Sequence, residues 1–437
     1  MESKMSLKQE LLERWLLYQF SSDEIFEKLE KWNCSFYCGF DPTADSLHMW
    51  NYIGFLVAVH LMKYGNKYIA LTWWATGMIW DPGWKNTERE FLDENKLESN
   101  QRSIMNQIQN ILAKMPDSDK YKYLFKNNKE FYENMNILTF LRDVWKYITV
   151  NNMISKDTVK SRIEDPNKSI SYTEFSYMLL QWYDFYHLYK KHNVQLQIWW
   201  QDQWWNLVTW TEIIKKKDNG QWYALTWPLI TDSNWKKFWK SEWNALWLDK
   251  RKTTPYKLYQ YFINTDDNDV ERYLKMLTLL DLNEINELIK NNVDKSQRLL
   301  QKRLAFEVVK LIHWEDNAII SEKVSNILFN SEDRYTAIKS LDNNELNSLL
   351  DEVPNINYFI EHDFKDLTLF WALVKLWFCK TNTEARNLMK WNSIYVNNVL
   401  INSPIFDIRE VIKNNWLVMV QKWKKNFWII YFNECIF

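Results

Sequence analysis

Two loops in this sequence carry side chains suited to holding an anionic ligand. Residues 37–51 (YCGFDPTADSLHMWN) lead from an apolar run into a helical pattern, with His48 and Asn51 one turn apart. A helix N-terminus presents unpaired N–H groups and a partial positive charge, so it attracts phosphates. Residues 237–244 (KFWKSEWN) combine two lysines with a serine, which is typical of polyphosphate binding. Taken singly, each loop also fits a plainer interpretation: a polar helix surface, or a solvated charged segment.

A third loop follows a predicted strand. Residues 196–206 (LQIWWQDQWWN) place Asp202 and Gln203 just past the apolar run 194–198. Ligands of open α/β sheets bind beyond the carboxyl ends of the strands, so this pair is a candidate for ligand contact. A polar pair here is equally typical of a loop cap, and the three loops become informative only together.

The elements that must position these loops follow a strand–loop–helix–strand order. Apolar runs at 34–40, 67–72 and 194–198 predict buried strands, and residues 48–63 have a helical period. This order is typical of a parallel α/β sheet. Residues 88–190 and 255–350 are mostly helical in pattern. The predicted division is 1–235 for the sheet domain, 236–350 for a helical domain, 351–366 for a linker and 367–437 for a small, locally basic α+β domain.

Bulk composition excludes several classes of protein. The charges nearly balance, with 55 Lys and Arg against 56 Asp and Glu, which excludes a polyelectrolyte and a strongly basic coat protein. No apolar run reaches about 18 residues, so we expect no membrane span. The four cysteines form no C-x-x-C pair and no cluster with zinc spacing. We therefore expect no bound metal and a reducing, cytoplasmic location.

In this order, the three loops resemble those of class I aminoacyl-tRNA synthetases, and the match is closest to the bacterial tyrosyl-tRNA synthetases. His48-Met49-Trp50-Asn51 stands where that family has its HIGH-type signature, and residues 237–241 stand where it has its KMSKS-type signature. Four further segments follow the family nearly letter for letter: 37–48 (YCGFDPTADSLH), 140–144 (FLRDV), 173–181 (TEFSYMLLQ) and 254–267 (TPYKLYQYFINTDD).

The resemblance implies an α/β protein with a Rossmann-like, parallel-sheet catalytic domain, then an α-helical anticodon-binding domain and a small α+β RNA-binding domain. The implied reaction joins L-tyrosine to ATP, supplied with Mg²⁺, and then transfers tyrosine to the 3′ end of tRNA(Tyr). The family works as a homodimer, and residues 140–144 match its interface helix. No protein-bound metal is implied.

Individual site residues are implied by the same motif match. For tyrosine, the resemblance assigns the phenol hydroxyl to Tyr37 and Asp184, and the ammonium group and pocket wall to Thr76, Asp81, Tyr177, Gln181 and Gln203. For catalysis it assigns Thr43, His48, Asn51, Lys85, Arg89, Lys237, Lys240 and Ser241. For ATP and the adenylate it assigns Cys38, Gly39, Asp41, Trp50, Asp202 and Lys240. Without the resemblance, Tyr177 and Gln181 would be interpreted as packing residues of one helix face.

The main departure from the family concerns glycine. The chain has 6 glycines and 27 tryptophans among 437 residues, whereas glycine usually makes up about 7% of a protein. Many tryptophans stand where the family has, or commonly has, glycine: Trp15, Trp50, Trp73, Trp74, Trp80, Trp84, Trp145, Trp199, Trp200, Trp205, Trp235, Trp239, Trp243, Trp314, Trp377, Trp391 and Trp423, with Trp182 a further candidate. Trp204 and Trp247 stand where the family itself has tryptophan. Our hypothesis is that UGA codons for glycine have been translated as tryptophan.

Three alternatives remain open from the sequence. The sister tryptophanyl enzyme shares the fold, but Tyr37 and Asp184 argue against it. A non-catalytic, RNA-binding relative is the second, and the retained His48 and Lys240 argue against that. The third is a chain that is inactive as written, because Trp50 stands where the backbone must approach the nucleotide.

Overall fold

A computed structural model describes residues 5–31, 34–78, 93–154, 157–165, 169–204, 207–208, 214–215, 217–229, 246–353, 355–358, 368–375, 377–403, 406–413, 417–423 and 426–432. The strands are β1 (Gln19–Phe20), β2 (Ser35–Phe40), β3 (Lys67–Thr72), β4 (Lys122–Asn127), β5 (Val194–Trp200), β6 (Tyr223–Trp227), β7 (Asn355–Tyr358), β8 (Ile394–Val396), β9 (Val399–Leu400), β10 (Leu417–Lys422) and β11 (Asn426–Phe432).

The helices begin with α1 (Leu7–Glu13), α2 (Glu24–Glu30), α3 (Met49–Lys63), α4 (Trp74–Gly77), α5 (Glu94–Lys114), α6 (Lys129–Tyr132), α7 (Ile137–Asp143), α8 (Val150–Ile154), α9 (Asp157–Ile163) and α10 (Tyr172–His192). They continue with α11 (Pro255–Ile263), α12 (Val270–Leu277), α13 (Leu282–Asn291), α14 (Leu299–His313), α15 (Glu315–Asn330), α16 (Arg334–Lys339), α17 (Asn343–Leu350), α18 (Leu369–Lys375), α19 (Asn382–Lys390) and α20 (Ile408–Lys413).

A six-stranded sheet with the order β1-β6-β5-β2-β3-β4 organises the N-terminal part of the chain. Every neighbouring pair is parallel except β1 with β6. Five of the six residues of β2 are buried, and so are five of the six residues of β3, which explains why both read as continuous apolar runs. The carboxyl ends of β3, β2 and β5 therefore meet at one edge. The predicted α/β class with a parallel sheet is confirmed.

Helix α3 lies deep in this part of the fold, because 12 of its 15 residues are buried. Tyr52 on this helix donates a hydrogen bond to the Leu277 carbonyl over 3.1 Å. Nearby, Arg14, directly after α1, donates to the carbonyl of Lys275 at 3.3 Å and to that of Leu280 at 2.8 Å. A buried guanidinium satisfied by carbonyls fixes both segments in place. The segment after α12 is thereby tied to the helix that begins at the first candidate loop.

The chain packs as two compact units, one made of Met1–Thr254 with Tyr261–Trp314 and the other of Pro255–Gln260 with Glu315–Phe437. In the second unit, five strands form a sheet with the order β7-β11-β10-β8-β9, in which β7 and β11 run parallel and the remaining pairs run antiparallel. Helices α18 and α19 pack on one face of this sheet, around Leu373, Leu388 and Ile430. The domain boundaries drawn from the sequence remain predictions.

Five of the described strands were not predicted from the sequence: β1, β4, β6, β7 and β9. Strand β4 falls inside the stretch expected to be mostly helical, and β7 falls inside the segment suggested as a linker. Most residues of β4 are only partly buried, and its sequence KYLFKN carries lysines at two positions, so its apolar signal is weak. The pairing partner of β7 is β11, which lies about 70 residues further along the chain, and a local pattern cannot show such a partner.

Within the described residues, no helix is both long and apolar enough to cross a membrane.

Candidate active site

The base of the candidate site lies between strand β2 and helix α10. Tyr37 on β2 and Asp184 on α10 are both fully buried. The Tyr37 ring lies 5.4 Å from that of Phe185, the neighbour of Asp184. Burial raises the pKa of Tyr37 well above its ordinary value, and the nearby Asp184 carboxylate raises it further. The Tyr37 hydroxyl has no hydrogen-bond partner within the described part of the chain, so it is free to serve a ligand.

Asp184 is held by two side chains from the region that follows β4. Asn128 donates to Oδ2 over 2.9 Å, and the Tyr132 hydroxyl lies 2.8 Å from Oδ1. The same Tyr132 hydroxyl lies 2.8 Å from the Leu180 carbonyl. Burial raises the pKa of Asp184 to about 8, against the lowering effect of these two hydrogen bonds. A neutral carboxyl at pH 7 is therefore the favoured form in the unliganded site.

Three residues assigned to tyrosine share one face of α10. Tyr177, Gln181 and Asp184 are spaced four and three residues apart, and all are buried. Thr76, also buried, donates to the Trp73 carbonyl at 3.1 Å. Its hydroxyl oxygen also lies 3.5 Å from Asn128 Nδ2. The structure thus brings Thr76 and the α10 face together around Asp184.

The first candidate loop ends at the beginning of α3. The His48 backbone N–H donates to the Asn51 side chain over 3.1 Å, so Asn51 caps the first turn. Burial lowers the pKa of His48, which favours the neutral imidazole at pH 7. Residues 246–248 pair with this turn, since Met49 N–H donates to the Leu246 carbonyl at 2.9 Å and Leu248 N–H donates to the Leu47 carbonyl at 2.8 Å. Residue 246 follows the segment 237–244 in the chain, and that segment lies outside the described residues.

The third candidate loop lies one strand away. Asp202 and Gln203 form a short 3₁₀ turn directly after β5, which pairs with β2. Asp41 and Thr43, both exposed, follow the end of β2 on the same edge of the sheet.

Tyr37 and Gly39 point to one face of β2, and Cys38 to the other, as strand geometry requires. Burial raises the pKa of the Cys38 thiol well above its ordinary value, so it remains a hydrogen-bond donor.

Comparison with known proteins identifies the family. Residues 30–330 match the family of class I tRNA synthetases (W and Y). The chain is 39% identical to the tyrosine–tRNA ligase of Streptococcus agalactiae serotype V over 431 residues, covering 98% of this chain and all of that protein. The chain belongs to the class I tyrosyl-tRNA synthetases. A 38% identity to the tyrosine–tRNA ligase of Flavobacterium johnsoniae extends over 95% of the synthetase and 96% of that relative.

Solved structures agree with this placement. A C-terminally truncated mitochondrial tyrosyl-tRNA synthetase of Aspergillus nidulans superimposes with a TM-score of 0.66 and 30% identity, covering 75% of this synthetase and 95% of that chain. The corresponding truncated enzyme of Coccidioides posadasii gives a TM-score of 0.65 and 28% identity, covering 73% and 92%.

Indole rings crowd the carboxyl edge of the synthetase's sheet. Trp73 is buried against Gly39, and a Cβ added to Gly39 would overlap the Trp73 ring. The Trp73 ring lies 5.0 Å from that of Trp199, and the Trp50 ring lies 4.9 Å from that of Trp200. These rings occupy the strand ends and the α3 N-terminus, where a nucleotide would have to approach the backbone.

Part of the predicted site lies outside the described residues: Asp81, Lys85, Arg89, Lys237, Lys240 and Ser241. Asn128 and Tyr132, which hold Asp184, were not predicted from the sequence. The pair Asn127-Asn128 at the end of an apolar run could have indicated them. It was missed because strand β4, which the pair ends, was not predicted. In the described part of the chain, no group of three or more His, Cys, Asp or Glu could hold a metal ion.

The raised pKa of Asp184 gives a prediction for stability against pH. Its pKa is about 8 in the folded chain, against an ordinary value of 3.8, so between these values the folded state holds a proton that the unfolded state has lost. This residue therefore makes the free energy of unfolding fall as pH rises through that window. We expect Asp184→Asn, which mimics the neutral acid, to gain stability relative to the parent as pH rises.

Urea denaturation of both proteins near the two ends of that window measures the difference. Replacing the exposed Asp119 with asparagine is the control, and it should show no such pH-dependent difference. An Asp184→Asn difference that is the same at both ends would contradict the raised pKa.

Proposed function

We propose that this synthetase is a tyrosine–tRNA ligase that first forms tyrosyl-adenylate and pyrophosphate from L-tyrosine and ATP, and then transfers tyrosine to the 3′ end of tRNA(Tyr). The observation that carries this proposal is the buried Tyr37 hydroxyl, without a partner in the described residues, beside Asp184. The phenol of tyrosine donates to one group and accepts from the other. Phenylalanine would leave both unpaired, and sites of this kind reject it by about 10⁴–10⁵.

Selection of the rest of the amino acid follows from the α10 face. Tyr177, Gln181 and Gln203, together with Asp81, bind the substrate ammonium group, and Thr76 lines the same pocket. Their support is the clustering of Thr76, Tyr177 and Gln181 around Asp184 and the position of Gln203 at the neighbouring strand end.

Adenylate formation needs no covalent enzyme intermediate, so catalysis is placement and electrostatic stabilisation of the transition state. Thr43 and His48 donate to the γ-phosphate side, and Asn51 contacts the ribose oxygen. The neutral form of His48 fits a donor role at pH 7. Departing pyrophosphate is held by Lys85, Arg89, Lys237, Lys240 and Ser241, and Mg²⁺ enters bound to ATP.

The ribose and adenylate are held at the carboxyl edge of the sheet. Cys38 donates to a ribose hydroxyl, and Asp41 and Asp202 hold the adenylate or its ribose. Gly39 and position 50 give the backbone close access to the nucleotide. This last role requires a residue without a side chain at position 50, and the indole of Trp50 opposes it.

The remaining partners are proposed from the rest of the chain. The helical region 255–350 contacts the anticodon stem, and the basic module 367–437 adds contacts to tRNA phosphates. A homodimer is supported by helix α7, on which Ile137 and Leu138 are 66% and 74% exposed and Leu141 is also exposed. We place the enzyme in the cytoplasm, where the free buried thiols of Cys34, Cys38 and Cys379 remain reduced.

Tyrosine-dependent exchange of pyrophosphate with ATP tests the proposal. It should be run on the chain as written and on the glycine-restored chain, defined as the chain with glycine at positions 15, 50, 73, 74, 80, 84, 145, 199, 200, 205, 235, 239, 243, 314, 377, 391 and 423. We expect tyrosine-dependent exchange in the glycine-restored chain, and tryptophan and phenylalanine should not replace tyrosine. No exchange with tyrosine in either chain would refute the proposal, and retained tRNA binding alone would favour the non-catalytic alternative.

A further inference from the structure

In the described part of the chain, four tryptophans adopt a backbone conformation that suits glycine. Trp15, Trp314, Trp377 and Trp423 have φ angles of 58°, 77°, 60° and 44°. A side chain with a Cβ is disfavoured there by contact with its own backbone. Most other residues of positive φ in the described part of the chain are of the tolerant types: Gly65, Asp117, Asn193, Asn219, Asn392, Asn397 and Asn398, with Arg298 the exception.

Two of these tryptophans occupy the glycine position of a helix-ending motif. After α1, Trp15 N–H donates to the Leu12 carbonyl at 3.0 Å and Leu16 N–H donates to the Leu11 carbonyl at 2.8 Å. After α18, Trp377 N–H donates to the Val374 carbonyl at 3.1 Å and Phe378 N–H donates to the Leu373 carbonyl at 3.0 Å. This is the Schellman arrangement, in which the left-handed residue is usually glycine or asparagine.

The same chain provides the matched comparison. After α19, Asn392 takes the left-handed position with φ of 50° and donates to the Met389 carbonyl at 3.0 Å. After α3, Gly65 takes it with φ of 75° and donates to the Met62 carbonyl at 2.7 Å. Tryptophan at this position is thus found where the chain elsewhere uses asparagine and glycine.

Burial does not compensate for this strain. The side chains of Trp15, Trp314, Trp377 and Trp423 are 52%, 56%, 89% and 57% exposed. At Trp314, the combination of positive φ with ψ of 159° falls in a region of backbone conformation that is essentially restricted to glycine. Lysine ammonium groups lie near the rings of Trp314 and Trp423, at 5.1 and 5.4 Å, but such contacts contribute little at exposed positions.

Trp247 shows what a well-accommodated tryptophan looks like in this fold. It is absent from the residues of positive φ, its ring centroid lies 6.1 Å from that of His48, and the Lys252 ammonium lies 4.6 Å from its ring. Its backbone N–H donates to Thr253 Oγ1 at 2.9 Å. Trp247 therefore differs in backbone conformation and contacts from the four strained tryptophans.

We propose that the functional protein carries glycine at positions 15, 314, 377 and 423, and at position 73 against Gly39, and that the codon at these positions is UGA read as glycine. The proposal explains both halves of the composition, the shortage of glycine and the excess of tryptophan. It concerns the identity of the residues and stands whether or not the ligase function is correct.

Two observations on the natural protein test this directly. The gene should carry UGA at the five positions and UGG at Trp204 and Trp247. Peptide mass spectrometry of the protein from the organism that bears the gene should find glycine at the five positions and tryptophan at the other two. UGG codons at positions 15, 314, 377 and 423, or tryptophan in the corresponding natural peptides, would overturn the proposal.

Thermal unfolding tests the physical basis. In the chain as written, Trp15→Gly and Trp377→Gly should each raise Tm by about 2–4 °C, because each relieves one strained residue. Trp391→Gly is the control, since Trp391 is also exposed but has φ of −84° at the end of α19. An equal rise in all three variants, or none at positions 15 and 377, would contradict the strain argument. If the chain as written does not fold, the same positions are compared by retaining each tryptophan singly in the glycine-restored chain.

A separate observation concerns how Asp184 is held. A tyrosine hydroxyl has one proton, yet Tyr132 Oη lies 2.8 Å from both the Leu180 carbonyl and Asp184 Oδ1. It therefore donates to one of these acceptors at a time, and when it donates to Oδ1 it lowers the pKa of Asp184. Oδ2 then faces away from that contact and accepts from Asn128 at 2.9 Å.

We infer that Tyr132 is a positioning residue for tyrosine selection, because its hydroxyl binds Oδ1 of Asp184 and leaves Oδ2 as the acceptor for the substrate phenol. This inference rests on the proposed function. In the glycine-restored chain, Tyr132→Phe should raise KM for tyrosine more than it lowers kcat, and should displace the acidic limb of the kcat/KM pH profile to higher pH.

Tyr183→Phe is the matched control, because Tyr183 is the neighbour of Asp184 on α10 and its ring lies 5.4 Å from that of Tyr132. It should leave the pH profile unchanged. Tyrosine-dependent exchange with an unaltered pH profile in Tyr132→Phe would refute the positioning role alone. Loss of exchange in the parent chain would instead refute the proposed function.

Discussion

The glycine-restored chain is expected to form tyrosyl-adenylate at least about 100-fold faster than the chain as written, since misplacement of a reacting group by about 1 Å can cost that factor. The physical reason lies at the carboxyl edge of the sheet. The Trp73 ring fills the space in front of Gly39, and Trp50 and Trp200 pair at 4.9 Å beside the beginning of α3. In the proposed site, ATP brings its phosphates to that helix N-terminus.

A single-site version separates crowding from instability. Retaining only Trp73 in the glycine-restored chain should abolish most of the exchange activity, because this indole is buried in the site. Retaining only Trp391 should leave activity unchanged, because its side chain is 68% exposed in the C-terminal unit. Single-turnover adenylate formation measures both, and far-UV circular dichroism verifies that both are folded. Full activity with Trp73 in place would show that the indole does not obstruct the nucleotide.

The parts of the fold that the sequence predicted well are those with a strong local signal. Strands β2 and β3 are buried at five of their six residues and β5 at four of its seven, and all three read as apolar runs. Helix α3 has both a helical period and a polar residue at its beginning. The prediction of Tyr177 and Gln181 on one face of α10 needed only helical spacing once the family resemblance had selected them. Local pattern and global fold agree at these elements.

The parts that were missed depend on contacts between distant segments. Asn128 reaches Asp184 across 56 residues of sequence, and its position depends on β4 pairing with β3. The strain at Trp15 and Trp377 depends on their positive φ angles. Tryptophan is not a residue type that indicates a left-handed helix end, so this conformation could not be predicted from the sequence. Gly65 and Asn392 could have been predicted from the sequence as helix ends, because glycine and asparagine are the residue types that favour their left-handed conformation.

Discrimination between tyrosine and phenylalanine is expected to fall by about 10–100-fold in Tyr37→Phe, measured in the glycine-restored chain as the ratio of kcat/KM values in pyrophosphate exchange. The Tyr37 hydroxyl is buried beside Asp184 and has no partner in the described residues. Binding phenylalanine leaves this hydroxyl unpaired, whereas binding tyrosine satisfies it. The Tyr37→Phe variant has no hydroxyl at this position. Binding phenylalanine therefore leaves no hydroxyl of residue 37 unpaired, and binding tyrosine no longer gains a hydrogen bond to it, so the difference in binding free energy between the two substrates becomes smaller.

Tyr68→Phe is a stringent control for this effect. Tyr68 lies on β3, the strand next to β2, and is also fully buried with a hydroxyl that lacks a partner in the described residues. Both substitutions remove one buried hydroxyl from adjacent strands, so their effects on stability should be comparable. Of these two tyrosines, Tyr37 is the one beside Asp184, and so Tyr37→Phe should change the ratio and Tyr68→Phe should not. Equal changes in the two variants would mean that the ratio reports general loosening of the sheet, and the phenol would then have to be recognised elsewhere.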